Sequence, residues 1–504
     1  MKFLPLCLLL SVAFYHSNAQ ADHTYRIEDT RIINNVLYDV NGDPVTGIYE
    51  TFYENNVKKS NLPYVDGILH GVGTIYNEKG YKETDIPFVN GKKEGIALTY
   101  YENGNLKEKT PYRNDLIDGI KRTYYENGNV KERINYVANN QTGTTKTYYE
   151  DGNLRETINY IDNKKNGEAI VYFYDGSVAE KLTYNNDTIT GERYVYYKSG
   201  NLKSRIEYAL GKKNGMMYNY FEDGNLKSEI PYKNDVVDGI GTFYKENGEL
   251  NLKVSYKDNI RQGKATAFYP NGKQQLVANY VNDIKDGIET QYFENGKVAS
   301  ETPYKEGIIN GIGREYYTTS GLKSEITYVD AIANGMAKFY DEKGYLTSEV
   351  NYNKGKKNGL QKNYNSQGII ISESNYIDDT LDGEYKEYYD NGKIKSTAMY
   401  ENGALNGLSL IYDQEGNLSF EIPYVKNRKE GKVKRYYPTG EVMGEVSYEK
   451  GKKHGMLDAY NQDGTLMAKV LFNKDEAIKG YSLDHGKKPV LMTKEELKII
   501  NESY

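Results

Sequence analysis

A glycine returns every 24 residues, at Gly47, Gly71, Gly95 and so on to Gly431 and Gly455, eighteen times with no insertion between anchors. Counting that glycine as position 0, an aromatic stands at position 5 in all eighteen units, Phe52 and Phe268 being the only two that are not Tyr. A second aromatic stands at position 17 throughout, from Tyr64 to Phe472. So strict a period excludes a string of unrelated globular domains. It points to stacked copies of one supersecondary unit, none able to bury its apolar surface alone.

The unit from Gly95 to Tyr112 reads GIALTYYENGNLKEKTPY. Ile96, Leu98 and Tyr100 alternate with small or polar residues, the period of a strand. Asn103-Gly104 then interrupts, a hairpin signal in which both residues tolerate positive φ. Alternation resumes with Leu106, Glu108, Thr110 and Tyr112. A second turn over 113–118 leads to the next glycine. Each unit is therefore predicted to be two short antiparallel strands. A lone hairpin is unstable in water, whereas eighteen paired edge to edge satisfy one another's backbone groups. The predicted fold is all-β: an elongated single-layer antiparallel sheet of about 18 tandem 24-residue hairpins. At ~4.8 Å per strand it would run for roughly 170 Å before twist.

The aromatics at positions 5 and 17 are expected to form two structural ladders along one face, represented by Tyr100, Tyr124 and Tyr148 and by Tyr112, Tyr136 and Tyr160. Position 6 is expected on the opposite face. It is aromatic in twelve units, at Tyr53, Tyr101, Tyr125, Tyr149, Phe173, Tyr197, Phe221, Tyr269, Phe293, Tyr317, Tyr389 and Tyr437, and polar in the other six. That variability reads as wetted surface, so these twelve are the candidate partner-binding face.

The composition suits a thin structure. There are 53 Tyr, 49 Gly and no Trp, and mean hydropathy is −0.78. The chain is too polar for thick cores and too aromatic for disorder. Tyr covers a sheet with its ring while its hydroxyl stays wet. With 65 basic and 71 acidic residues, the net charge of −6 gives no basic face for nucleic acid.

The ends depart from the rhythm. Residues 1–19 read as a signal peptide: Lys2, an apolar stretch from Phe3 to Tyr15, and Ser17-Asn18-Ala19 before a cut at Gln20. The only cysteine, Cys7, lies within it. The expected localisation is export to the periplasm, outer surface or medium. The remaining sequence holds no apolar run long enough to form a transmembrane segment. Residues 20–46 are expected to be an N-terminal cap with a strand pair around Ile33 to Tyr38, and 47–478 the repeats. Residues 479–504 are expected to form a C-terminal cap, in which Thr493 to Glu496 offers a capping box and 495–501 a short helix over the last sheet edge.

The phrase YYENGNLK, between an Asp-Gly or Asn-Gly opening and a closing Tyr, resembles the bacterial MORN-repeat variant of YwqK-type proteins over roughly residues 41–480. Only Gly71/Gly73, Gly239/Gly241 and Gly311/Gly313 keep the second glycine of standard MORN repeats. The resemblance implies an elongated single-layer antiparallel sheet. The family's antitoxin label implies an antitoxin or immunity role.

No catalytic set, cofactor site or metal site is legible. The five histidines are His16, His23, His70, His454 and His485, and neither a Ser-His-Asp arrangement nor zinc-ligand spacing accompanies them. The turn carboxylates Glu102, Glu126, Glu150, Glu222 and Glu294 read as solvated. Residues 378–383 fail as a calcium loop because the twelfth position is Tyr389 where Glu is needed. The expected function is non-catalytic: an exported repeat scaffold binding a protein partner at the cell envelope. Glycan or cell-wall binding through Tyr rows is the competing reading.

Overall fold

The computed structural model describes residues 23–484 and 487–503, with the side chains of 501–503 left aside. The expected signal peptide lies outside the described residues. The chain divides into two compact units. One reaches to Asp238 and includes Glu246–Gly248; the other comprises Gly239–Lys245 and everything from Glu249 on.

Both units are built from hairpins at the 24-residue spacing, all-β and mostly antiparallel as the period predicts. The first strand of each hairpin begins at the anchor glycine, as in Gly95–Tyr100, and the second follows the turn, as in Leu106–Arg113. Within this hairpin Gly95 lies across from Tyr112, Ala97 across from Thr110 and Thr99 across from Glu108. Neighbouring hairpins pair through their outer strands, Leu98 lying across from Asp85 in one unit and Thr397 across from Leu410 in the other.

The two turns differ from expectation in an instructive way. Asn103-Gly104 does not take positive φ at both residues; only Gly104 does, at 85°. The N–H of Gly104 donates to the carbonyl of Tyr101, and the N–H of Tyr101 donates to the carbonyl of Asn105. Asn103 instead turns its Oδ1 to the N–H of Asn105 at 2.9 Å. The two-residue turn with both φ values positive is the one between hairpins, at Asn114 (50°) and Asp115 (68°).

Between hairpins the register slips around the anchor glycine. Ile158 pairs with Ala169, but Tyr160 pairs with Lys165, so Gly167 lies in a bulge. A bulge increases local twist. It also explains the prolines at position 16, such as Pro87 and Pro111. Their carbonyls accept the N–H of Glu94 and Asp118 beside the bulge, where a residue without an N–H is tolerated.

Most of the buried residues of the hairpins lie on one face. Ala97 and Thr110, Ala169 and Leu182, and Val433 and Val446 are directly opposed pairs at positions 2 and 15, and all are buried. The position-17 ring shares that face and lies over position 2. A Cβ added at Gly241 would stand 3.1 Å from the Tyr256 ring, and one at Gly313 would stand 3.0 Å from the Tyr328 ring. Hairpins such as these thus bury one narrow row under a tyrosine or phenylalanine.

At the N-terminal end, Thr24–Tyr25 runs parallel to the strand that begins at Gly47. Thr30–Ile33 pairs with Val36–Asp39 around Asn34-Asn35, the strand pair read from the sequence. At the other end Glu476–Ser482 adds to the last hairpin, and a helix runs from Lys494 to Ser503. Its capping box forms: Glu496 N–H donates to Thr493 Oγ1, and Thr493 N–H donates to Glu496 Oε2. The helix covers a face rather than an edge. Leu497 and Ile500 pack against the buried cluster of Val470, Phe472 and Ala477, while Val490–Leu491 pairs along the edge.

Candidate functional site

Strand alternation puts the two aromatic ladders on opposite faces, which corrects the expectation that they share one. Tyr112 lies across from Gly95, on the buried-row face. Tyr100, five residues beyond that glycine, projects the other way. Its hydroxyl donates to Asp85 Oδ2 at 2.9 Å, and Asp85 lies across from Leu98 on that second face. In the other unit Tyr316, Tyr364, Tyr388 and Tyr436 donate in the same way to Glu301, Glu349, Glu373 and Glu421. Partial burial, then the adjacent carboxylate, pushes Tyr364, Tyr388 and Tyr436 up to about 12. Arg314 adds a bridge, its Nε 2.8 Å from Glu325 and its Nη1 3.8 Å from Glu301.

Position 6 is not free surface either. Tyr101 has left the strand and entered the turn. Its hydroxyl donates 2.6 Å to the carbonyl of Tyr124, in the next unit. The same bond recurs from Tyr53, Tyr125, Tyr149, Tyr197, Tyr269, Tyr317, Tyr389 and Tyr437. Phe173, Phe221 and Phe293 occupy this position without a hydroxyl, and all twelve aromatics are half-buried. The lysine at position 12 lies over the ring, as with Lys107 over Tyr101 at 5.6 Å and Lys203 over Tyr197 at 5.5 Å. The expectation of a wetted aromatic face with no structural task is therefore corrected. The side chain had to leave the strand at the turn, which period-two counting does not see.

These contacts account for the recurring phrase YYENGNLKE. Asn105 Nδ2 donates to the carbonyl of Glu126 in the next turn at 2.7 Å. Leu106 pairs with Tyr100, and Glu108 meets Lys121 of the next hairpin at 3.1 Å. At the opposite end of the hairpins, Asp115 hooks the preceding turn. Its N–H donates to the carbonyl of Lys93 and its Oδ1 accepts the Lys93 N–H at 2.8 Å. Asp283 and Arg261 repeat this hook.

The exposed tips Glu102, Glu126, Glu150, Glu222 and Glu294 are solvated. Among the described residues no three His, Cys, Asp or Glu side chains gather in a way that could hold a metal ion. Part of what remains outward is aliphatic. Position 1, on the same face as Tyr100, carries Val72 (56% exposed), Ile96 (57%), Ile240 (57%) and Ile288 (54%). Position 16 lies directly across and often carries proline, as in Ile96 with Pro111 and Ile288 with Pro303. Sequence reasoning missed this row because it was counted as part of the alternating core.

Fold and contacts together define a tandem β-hairpin repeat protein whose repetitive residues mostly hold one repeat to the next. Ten of its segments, 93–114, 117–138, 141–162, 165–186, 189–209, 213–234, 237–258, 285–306, 381–402 and 429–450, match the MORN repeat variant family. No curated protein matches the chain. Solved structures with similar strand arrangements include the TcdB2-TccC3-Cdc42 crystal structure, at 12% identity and a TM-score of 0.15, with 92% of this chain and 31% of that chain covered. The Tc holotoxin pore of Photorhabdus luminescens is another, at 11% identity and a TM-score of 0.13, covering 93% and 30%. This chain spans about a third of the length of each.

Proposed function

We propose that this protein is a non-catalytic, exported scaffold that binds a protein partner at the cell envelope. The contact surface on this reading is the face carrying the position-1 aliphatics. One observation carries the proposal: large aliphatic side chains at position 1 stand more than half exposed in several repeats, at Val72, Ile96, Ile240 and Ile288. Isolated exposed apolar residues are ordinary, but a repeated row is a surface a partner can cover. Each repeat would contribute a weak contact, and repetition adds these into useful avidity. The leader-like residues 1–19 support export.

The test is site-specific photo-crosslinking in cells, with the crosslinker at Ile96 or Ile240 and, as control, at the turn residue Asn103. Fractionation and protease shaving of intact cells accompany it. The expected result is one shared protein adduct from Ile96 and Ile240, none from Asn103, and a processed chain outside the cytoplasm. An adduct from Asn103 alone would sink the assignment of the face. Recovery from the cytoplasm with an uncut N-terminus would overturn export and favour the antitoxin-type role.

A further inference from the structure

The buried-row face of the second unit has a gap. Across it runs a row in which Phe420 pairs with Arg435, Arg435 with Gly444, and Gly444 with Ala459. Position 13 is Gly444 here, whereas the other hairpins carry a side chain there, among them Leu252 and Phe420. The small pair Gly444 and Ala459 opens a pocket of about 310 Å³, at the small end of ligand-sized cavities. Ile422, Val433, Val446 and Leu457 form its apolar lining.

Three cations stand among the polar groups of this pocket. Lys429, Arg435 and Lys453 line it. Lys453 is only 8% exposed. Its ammonium lies 5.2 Å from the centre of the Phe472 ring, and that of Lys429 lies 5.1 Å from the Tyr448 ring. Among the described residues no carboxylate forms an ion pair with any of the three. Asp475 gives Oδ1 to the backbone N–H of Lys453 and lies beside Lys452 instead. Glu445, the one acid in the lining, is held by Lys432. Burial lowers the pKa of Lys453, Asp475 opposes the shift and Lys429 adds to it. A buried ammonium without a counter-ion is costly, and an anion brought by a ligand would relieve that cost.

We propose that this pocket binds an aliphatic carboxylate, its chain over Gly444 and Ala459 and its carboxylate against Lys429 and Lys453. The inference goes beyond the scaffold reading and does not rest on it. The ligand class follows from charge complementarity with the three cations and from the apolar lining between them.

Calorimetric titration of the full chain with decanoate, below its micellar concentration, tests this directly. Saturable binding at one site per chain is expected, with 1-decanol binding more weakly. Lys429→Met with Lys453→Met should weaken decanoate at least tenfold and leave 1-decanol unchanged, since Met keeps much of the apolar stem. Gly444→Leu should remove both ligands while the hairpin persists, because Leu252 occupies the equivalent position in another repeat. Absence of saturable binding to the unaltered chain, or decanoate affinity unchanged in either variant, would overturn the proposal.

Discussion

The hydroxyl of Tyr101 reaches 23 residues ahead to the backbone carbonyl of Tyr124, at 2.6 Å. The bond joins the turn of one hairpin to the strand end of the next, so it acts between repeats and not within one. Tyr101→Phe should cost about 1 kcal/mol, the net worth of one hydrogen bond. Tyr101→Ala should cost roughly 2 kcal/mol more, from the lost ring burial. Amide exchange around Tyr124 and Tyr125 would report both. Protection that stays unchanged in Tyr101→Ala would show that the ring carries no inter-repeat load.

Position 9 of the repeat needs the left-handed backbone, and two repeats place a residue other than glycine there, Asn56 and Ser320. Ser320 holds φ at 84° where Gly104 holds 85°. An L side chain there carries a strain of about 1–2 kcal/mol. Ser320→Gly is expected to stabilise its hairpin by roughly 0.5–1 kcal/mol, once the greater freedom of unfolded glycine is subtracted. Gly104→Ser should do the reverse through strain alone, since nothing lies within 4 Å of its added Cβ. Urea midpoints of the two variants should move in opposite directions.

Alkaline pH should loosen the second unit as it rises from about 10 to about 12. Tyr364, Tyr388 and Tyr436 are pushed up to about 12, first by burial and then by Glu349, Glu373 and Glu421. An unfolded Tyr titrates near 10. The folded state therefore holds these protons more tightly, and their contribution is complete below pH of about 10. It is lost as pH rises through about 12. The thermal midpoint should fall across that window, and the triple Tyr→Phe variant should show a shallower fall. Equal slopes in both proteins would remove these hydroxyls from the account.

The position-1 aliphatics should matter for binding and hardly at all for folding. Ile96→Lys and Ile240→Lys alter side chains more than half exposed, so stability should change by no more than about 0.5 kcal/mol. Crosslinked partner recovered from cells should fall several-fold in the double variant. Full recovery would move the contact surface elsewhere.

The repeat, its two strands and the sheet class were legible because glycine spacing and period-two alternation are local, and every copy repeats the evidence. The N-terminal strand pair and the capping box at Thr493 were legible because their signals are local as well, although neither is repeated. Turn assignment was less so. Asn103-Gly104 has the composition of a two-positive-φ turn, but Asn103 gains more by binding the Asn105 N–H, and that turn type falls at Asn114-Asp115 instead.

Sequence alone determined that eighteen like units must pair edge to edge, since no unit could satisfy its own backbone. Tertiary structure alone decided which tyrosine does what. Tyr100 and Tyr101 are neighbours of identical chemistry, yet the strand ends between them. One reaches back to the carboxylate of Asp85, and the other reaches forward to the Tyr124 carbonyl. The gap at Gly444 and the buried Lys453 belong to the same category. A glycine becomes a pocket, and a lysine a buried charge, only when neighbouring hairpins set what stands beside them.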